Sequence, residues 1–169
     1  MADRVSDYLA QWAAVRPDLD VSSMGVVGRI SRAGEILGRA VSENFREHGI
    51  QSGEFDTLAT LRRSGAPHTL TPGQLARSAM VSGAAMTNRL QRLEDRGLLE
   101  RATDPDNRRS VRVRLTEAGL EVVDAAVATH VATQQQALDQ ALTPREQAQL
   151  ADLLERFLEG SGDNSADPG

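Results

Sequence analysis

The chain has no cysteine, no lysine, very few aromatic residues and no long uncharged apolar run. Without cysteine there are no disulfides, no thiolate zinc ribbons and no thiol nucleophile. No apolar stretch nears the roughly 18 residues that would span a bilayer, and the N-terminus lacks a basic-then-apolar signal pattern. The expectation is a soluble, cytoplasmic protein. His48, His68 and His130 are scattered, no serine sits in a nucleophile elbow, and no glycine loop could cradle a phosphate. Asp95, Asp104 and Asp106 lack metal-loop spacing. No catalysis, cofactor or metal is expected. With aromatics at 3%, aliphatic side chains must fill the core.

The charge that is present is unevenly spread. Net charge is −5, which alone argues against nucleic acid. Between Arg62 and Arg114, however, eleven arginines face five acids, a balance of +6, while the rest of the chain sets eight arginines against nineteen acids, or −11. A basic third between acidic arms marks a local electrostatic footprint.

At 169 residues the chain fits one ordinary domain. Val5, Tyr8, Leu9 and Trp12 recur at helical spacing over residues 3–15, until Pro17 ends the pattern. A longer helix follows Ser22-Ser23 and stops at Gly49, and a third opens at Ser52 to Glu54. Thr71-Pro72-Gly73-Gln74 is a capping box with proline at the first helical position, and Ser82 caps the next helix, which Gly97 terminates. Two short helices ending in glycine suit a helix-turn-helix. Residues 98–103 and 110–115 alternate like strands around Asp104-Pro105-Asp106-Asn107, forming a hairpin. Thr116-Glu117 opens a long helix, and Thr143-Pro144-Arg145-Glu146 is a second capping box before Leu150, Leu153, Leu154, Phe157 and Leu158.

The pattern predicts a mainly α fold with a small β-wing: a winged helix-turn-helix over 51–116, N-terminal helices over 1–50, C-terminal helices over 117–159 and a disordered tail over 160–169. The middle segment has too few large apolar residues to cover the outer helices, so they are expected to pack against a second copy as a two-fold homodimer.

In the second helix of the motif, Met86, Leu90 and Leu93 mark the core side; Ala84, Asn88 and Gln91 fall opposite, with Thr87 and Arg92 on the flanks. Gly83 and Ala84 allow close approach to base pairs, and Asn88, Gln91 and Arg92 offer groups suited to base edges and phosphates. Arg108 and Arg109 at the hairpin tip suit a narrow minor groove. Thr71 and Ser82 at helix starts suit phosphate contacts. Arg89 lies instead about 60° from the centre of the apolar stripe. A guanidinium there needs a partner, and Asp56 is an available carboxylate.

The run LTPGQLARSAMVSGAAMTNRLQRLEDRGLLERATDPDNRRSVRVRLTEAG resembles the DNA-binding lobe of MarR-type transcriptional regulators, over roughly residues 24–160. The resemblance implies a homodimer on a pseudo-palindromic double-stranded operator, acting as a repressor released by a small ligand. Where that family has Asp-x-Arg at the wing turn, this chain has Asn107-Arg108-Arg109; Asn keeps the turn's local hydrogen bond, loses the ion pair and leaves the wing less rigidly set. WAAVRPDLD followed by MGVVGRI resembles the urate-responsive branch with an added N-terminal helix. By motif matching, that branch implies a ligand pocket of Trp12, Asp56, Arg89 and Arg101, for urate or another small anionic or phenolic effector. Guanidinium forks suit a planar anion, and an indole can stack on it. The alternative is a winged-helix module that mediates protein contacts without binding DNA.

Overall fold

The helix starts after Thr71 and Thr143 follow their capping boxes. Thr71 Oγ1 accepts from the Gln74 N–H at 3.2 Å while Gln74 Oε1 accepts from the Thr71 N–H at 2.8 Å; Thr143 and Glu146 repeat the arrangement. In a computed structural model that describes residues 2–105 and 107–162, the elements run α1 (Arg4–Val15), α2 (Ser22–Glu47), α3 (Ser52–Arg63), β1 (Thr69–Leu70), α4 (Pro72–Ser78), α5 (Gly83–Asp95), β2 (Leu99–Thr103), β3 (Val111–Leu115), α6 (Glu117–Asp139) and α7 (Pro144–Gly160). α5 ends at Gly97, whose φ of +68° suits glycine, and the Leu98 N–H returns to Leu93 O at 3.0 Å. α7 runs through Gly160, which the sequence reading assigns to the tail, and the rest of that expectation, from residue 163 on, lies outside the described residues.

β2 and β3 form the expected antiparallel hairpin, with Arg101 opposite Val113. β1, which sequence periodicity does not foresee, adds to the other edge of β3 with Thr69 opposite Arg114 and Leu70 opposite Val113, giving the order β1-β3-β2. Two residues are too few to show alternation; the ladder forms because it satisfies backbone groups on β3.

The core is aliphatic. Leu58 and Leu61 of α3, Leu75 of α4, Met86, Leu90 and Leu93 of α5, and Val113 and Leu115 of β3 are buried together, and Val123 and Ala126 of α6 close it. At its rim Phe45 stacks on Phe55 with centroids 4.1 Å apart, and His130 lies 5.1 Å from each. The His130 Nδ1 is buried without a hydrogen-bond partner among the described residues, and burial lowers the imidazole pKa below its ordinary 6.5. The unfolded chain therefore takes up this proton at a higher pH than the folded one. Stability from this site is complete above about pH 6.5 and falls as pH drops toward the folded pKa. Thermal melts between pH 7 and 5 check this: the melting temperature declines in the native chain and declines less in His130→Phe. Equal declines would contradict the assignment.

α1 packs on α2 through Val5 against Gly28 and Leu9 against Gly25. The outer helices keep large apolar side chains exposed: Tyr8, Trp12, Val27 and Ile30 at one end, and Leu150, Leu153, Leu154, Phe157 and Leu158 on α7, which buries no residue within the chain. No helix among the described residues is long and apolar enough to cross a membrane.

Candidate DNA interface and effector site

α5 is set by its buried stripe. Met86, Leu90 and Leu93 fill the core, which turns Gly83, Ala84, Thr87, Asn88, Gln91 and Arg92 to solvent. Ser82 Oγ caps the helix by accepting from the Ala85 N–H at 3.3 Å. The Thr87 hydroxyl donates back to Gly83 O at 2.9 Å. Gln91 is held at both ends: its Nε2 donates to Asp95 at 2.8 Å and its Oε1 accepts from Arg101 at 2.5 Å. The Asn88 side-chain amide makes no hydrogen bond to any described residue and is exposed to solvent. Thr71, the other capping residue, is half-buried at the start of α4.

The wing separates two kinds of arginine. Arg112 Nε lies 2.7 Å from the Asp104 carboxylate, and Arg114 Nε donates to Glu100 at 2.8 Å, so both strand arginines are paired within the chain. Arg108 and Arg109 are exposed and make no ion pair with a described residue. The turn is tied by the Asn107 Oδ1, which accepts from the Arg109 N–H at 3.1 Å, and by Ser110 N–H to Asn107 O at 2.8 Å. Asp106 lies outside the described residues. Arg77, exposed on α4 and without an ion pair among the described residues, is a further cation on the helix-turn-helix. Sequence reasoning passed it over because one arginine on a short helix carries no pattern.

The four candidate effector residues do not form one group. Asp56 and Arg89 come together: Arg89 Nη1 is 3.8 Å from Asp56 Oδ2 and donates to Thr57 Oγ1 at 3.4 Å, with the Arg89 side chain 15% exposed. Gly53 makes room for it, since a Cβ there would meet Arg89 Nη2 at 2.7 Å. Arg101 is bound elsewhere. Its Nε donates to Glu94 at 2.8 Å and its backbone N–H to the same carboxylate at 3.3 Å, tying β2 to α5. The hydrogen bond from Arg101 holds the Glu94 carboxyl below the usual carboxylate range. Trp12 lines a cleft between α1 and α2 with Tyr8, Leu9, Met24 and Arg32, away from Asp56 and Arg89.

A residue that the sequence marks only as part of a helix start stands out beside them. Glu54 is buried at the start of α3, accepts from the Gln51 N–H at 3.0 Å, and reaches Arg92 Nε at 3.2 Å and Arg96 Nη1 at 3.3 Å. The signal was present in the spacing: Arg89, Arg92 and Arg96 follow at i, i+3 and i+7, one stripe along α5 that needs acidic company.

A helix-turn-helix with an exposed polar face on its second helix, joined to a hairpin carrying two exposed arginines, defines a winged-helix DNA-binding regulator. The comparisons agree. The MarR family matches residues 50–111. The HTH-type transcriptional regulator PecS of Dickeya dadantii is 39% identical over 152 residues, covering 90% of this chain and 91% of PecS. A mutant of MarR from Escherichia coli, complexed with operator DNA, superposes with a TM-score of 0.67 at 25% identity over 87% of this chain and 97% of that one. A MarR family regulator from Streptomyces coelicolor in complex with DNA gives a TM-score of 0.73 at 24% identity, over 84% and 89%, and shows the shared fold. The chain belongs to the MarR family. It is a DNA-binding transcriptional regulator and not an enzyme.

Proposed function

We propose that the protein is a homodimeric repressor that binds a pseudo-palindromic operator and is released by a small anionic or phenolic effector, with urate the first candidate. Dimerisation is supported by the apolar faces of α1, α2 and α7, which one copy leaves exposed. Two copies related by a two-fold axis present two α5 helices to successive major grooves and two wings to the flanking minor grooves. Gly83, Ala84, Thr87, Asn88, Gln91 and Arg92 would face bases and phosphates, Thr71 and Ser82 the backbone, and Arg108 and Arg109 the minor groove.

The observation that carries the effector reading is the Arg89–Asp56 pair. Arg89 is mostly buried on the recognition helix, yet its carboxylate partner sits at 3.8 Å, a loose contact beside a direct ion pair. A planar anion that offers Arg89 a better bidentate partner would re-seat the guanidinium and draw α5 from its DNA-ready position. Such a site can include Arg101 and Trp12 only if Arg101 exchanges Glu94 for ligand and Trp12 approaches from its cleft or from the second copy. Titration of the native chain with urate is the test. Urate at millimolar concentration raises the melting temperature by several degrees, as about 2.7 kcal/mol of linkage at a hundredfold excess over Kd requires, and releases DNA in a gel shift. Arg89→Ala abolishes both responses. An unchanged melt and an unchanged gel shift would remove urate as effector while leaving DNA binding intact.

A further inference from the structure

The N-terminal half of α3 meets α5 and its C-cap residue at three points. Gly53, Asp56 and Thr57 hold Arg89, and Glu54 holds both Arg92 and Arg96. Glu54 differs from its neighbours because its side chain is only 5% exposed and is shared between two guanidiniums that are 52% and 39% exposed. A carboxylate is not buried without compensation, and here the compensation is drawn from the helix that faces DNA. Only the Nε of Arg92 is engaged; its Nη1 and Nη2 have no partner among the described residues.

We propose that Glu54 is a positioning residue for DNA binding, which fixes Arg92 on the flank of α5 and limits sequence-independent phosphate binding by Arg92 and Arg96. The proposal rests on α5 being the recognition helix. The physical basis is charge and geometry together. One carboxylate between two guanidiniums leaves a net single positive charge where two would otherwise stand. Phosphate attraction is the same for every sequence, so an uncompensated arginine adds affinity everywhere and discrimination nowhere. A guanidinium held by its Nε is restricted in where its outer edge can reach, which favours a duplex whose phosphates meet it and disfavours the rest. Glu54 would thus exchange total affinity for contrast between operator and other DNA.

Glu54→Gln keeps the side chain's size and an acceptor for the Gln51 N–H but removes the charge. Fluorescence anisotropy of the full chain on a short duplex from the gene's own upstream region, and on an unrelated duplex of equal length, is read across a salt series. In Glu54→Gln, binding to the unrelated duplex tightens about tenfold at low salt, and the log–log salt slope steepens by about 1, one freed phosphate contact. The affinity ratio between the two duplexes falls about threefold or more. A cooperatively melting Glu54→Gln whose slope and affinity for unrelated DNA match the parent overturns the proposal, since a merely structural role would move the melt and leave the slope alone. Should that variant not melt cooperatively, Arg96→Gln decides. Loss of an already compensated arginine shifts the slope by less than about 0.5, and a fall of a full unit would place Arg96 on phosphate and overturn the proposal. The parent chain tests the underlying reading separately: salt-dependent binding by the parent with an unchanged variant rejects only the role of Glu54, whereas no binding by the parent rejects α5 as a DNA reader.

Discussion

Gly119→Ala lowers stability by about 3 kcal/mol, overpacking against backbone that cannot yield. The added Cβ would lie 1.9 Å from the carbonyl oxygen of Leu98 and 2.9 Å from its carbon. Both sides of this contact are fixed. Leu98 O accepts from the Thr116 N–H at 3.2 Å, the Thr116 hydroxyl donates to Gly97 O at 2.7 Å, and Thr116 Oγ1 accepts from the Gly119 N–H at 3.0 Å. The L-T-E-A-G stretch is therefore a weld: it brings the first turn of α6 onto the chain leaving α5, so recognition helix, wing and long C-terminal helix keep one geometry. Relief requires either moving α6 or breaking the cap. For a domain of this size the loss corresponds to about 10 °C in melting temperature, read by circular dichroism. A variant that melts within a degree of the parent would show that the junction is more pliant than its hydrogen bonds indicate.

With the wing in the minor groove as proposed, the double change of Arg108 and Arg109 to alanine costs about a hundredfold in DNA affinity and flattens the log–log salt slope by about 2. The thermal melt stays within a degree or two, since neither side chain makes an ion pair with a described residue. The paired strand arginines form the contrast. Arg112→Ala and Arg114→Ala release Asp104 and Glu100 from their ion pairs, so their effect on the salt slope is smaller than one unit each. Salt-dependent anisotropy on one duplex ranks the four arginines. Equal slopes for parent and double variant would move the wing off the DNA.

Much of the fold was legible because its boundaries carry strong local chemistry. Thr71, Ser82, Thr116 and Thr143 each cap the helix they announce, and Gly97 ends α5 where its positive φ is needed. β1 was not legible, because two residues show no period and its pairing depends on an edge that exists only once β3 is in place. At the site, the helical angle of Arg89 sets a guanidinium on the border of the core where it needs a partner, and Asp56, the available carboxylate, stands 3.8 Å from it. Glu54 was read only as part of a helix start. Its bonds to Arg92 and Arg96 span about forty residues, and helical angles within α5 show a row of arginines without naming the acid that meets them. Periodicity assigns a residue to a face; which distant element covers that face is decided by packing.

Two copies of this chain gripping one duplex through α5 and the wing is the arrangement proposed above. A stoichiometric anisotropy titration of the gene's own upstream region, repeated across a salt series, tests it most directly. The account predicts saturation at two chains per duplex, with a log–log slope of several units. Saturation at one chain, or binding that is absent at low salt, would contradict it.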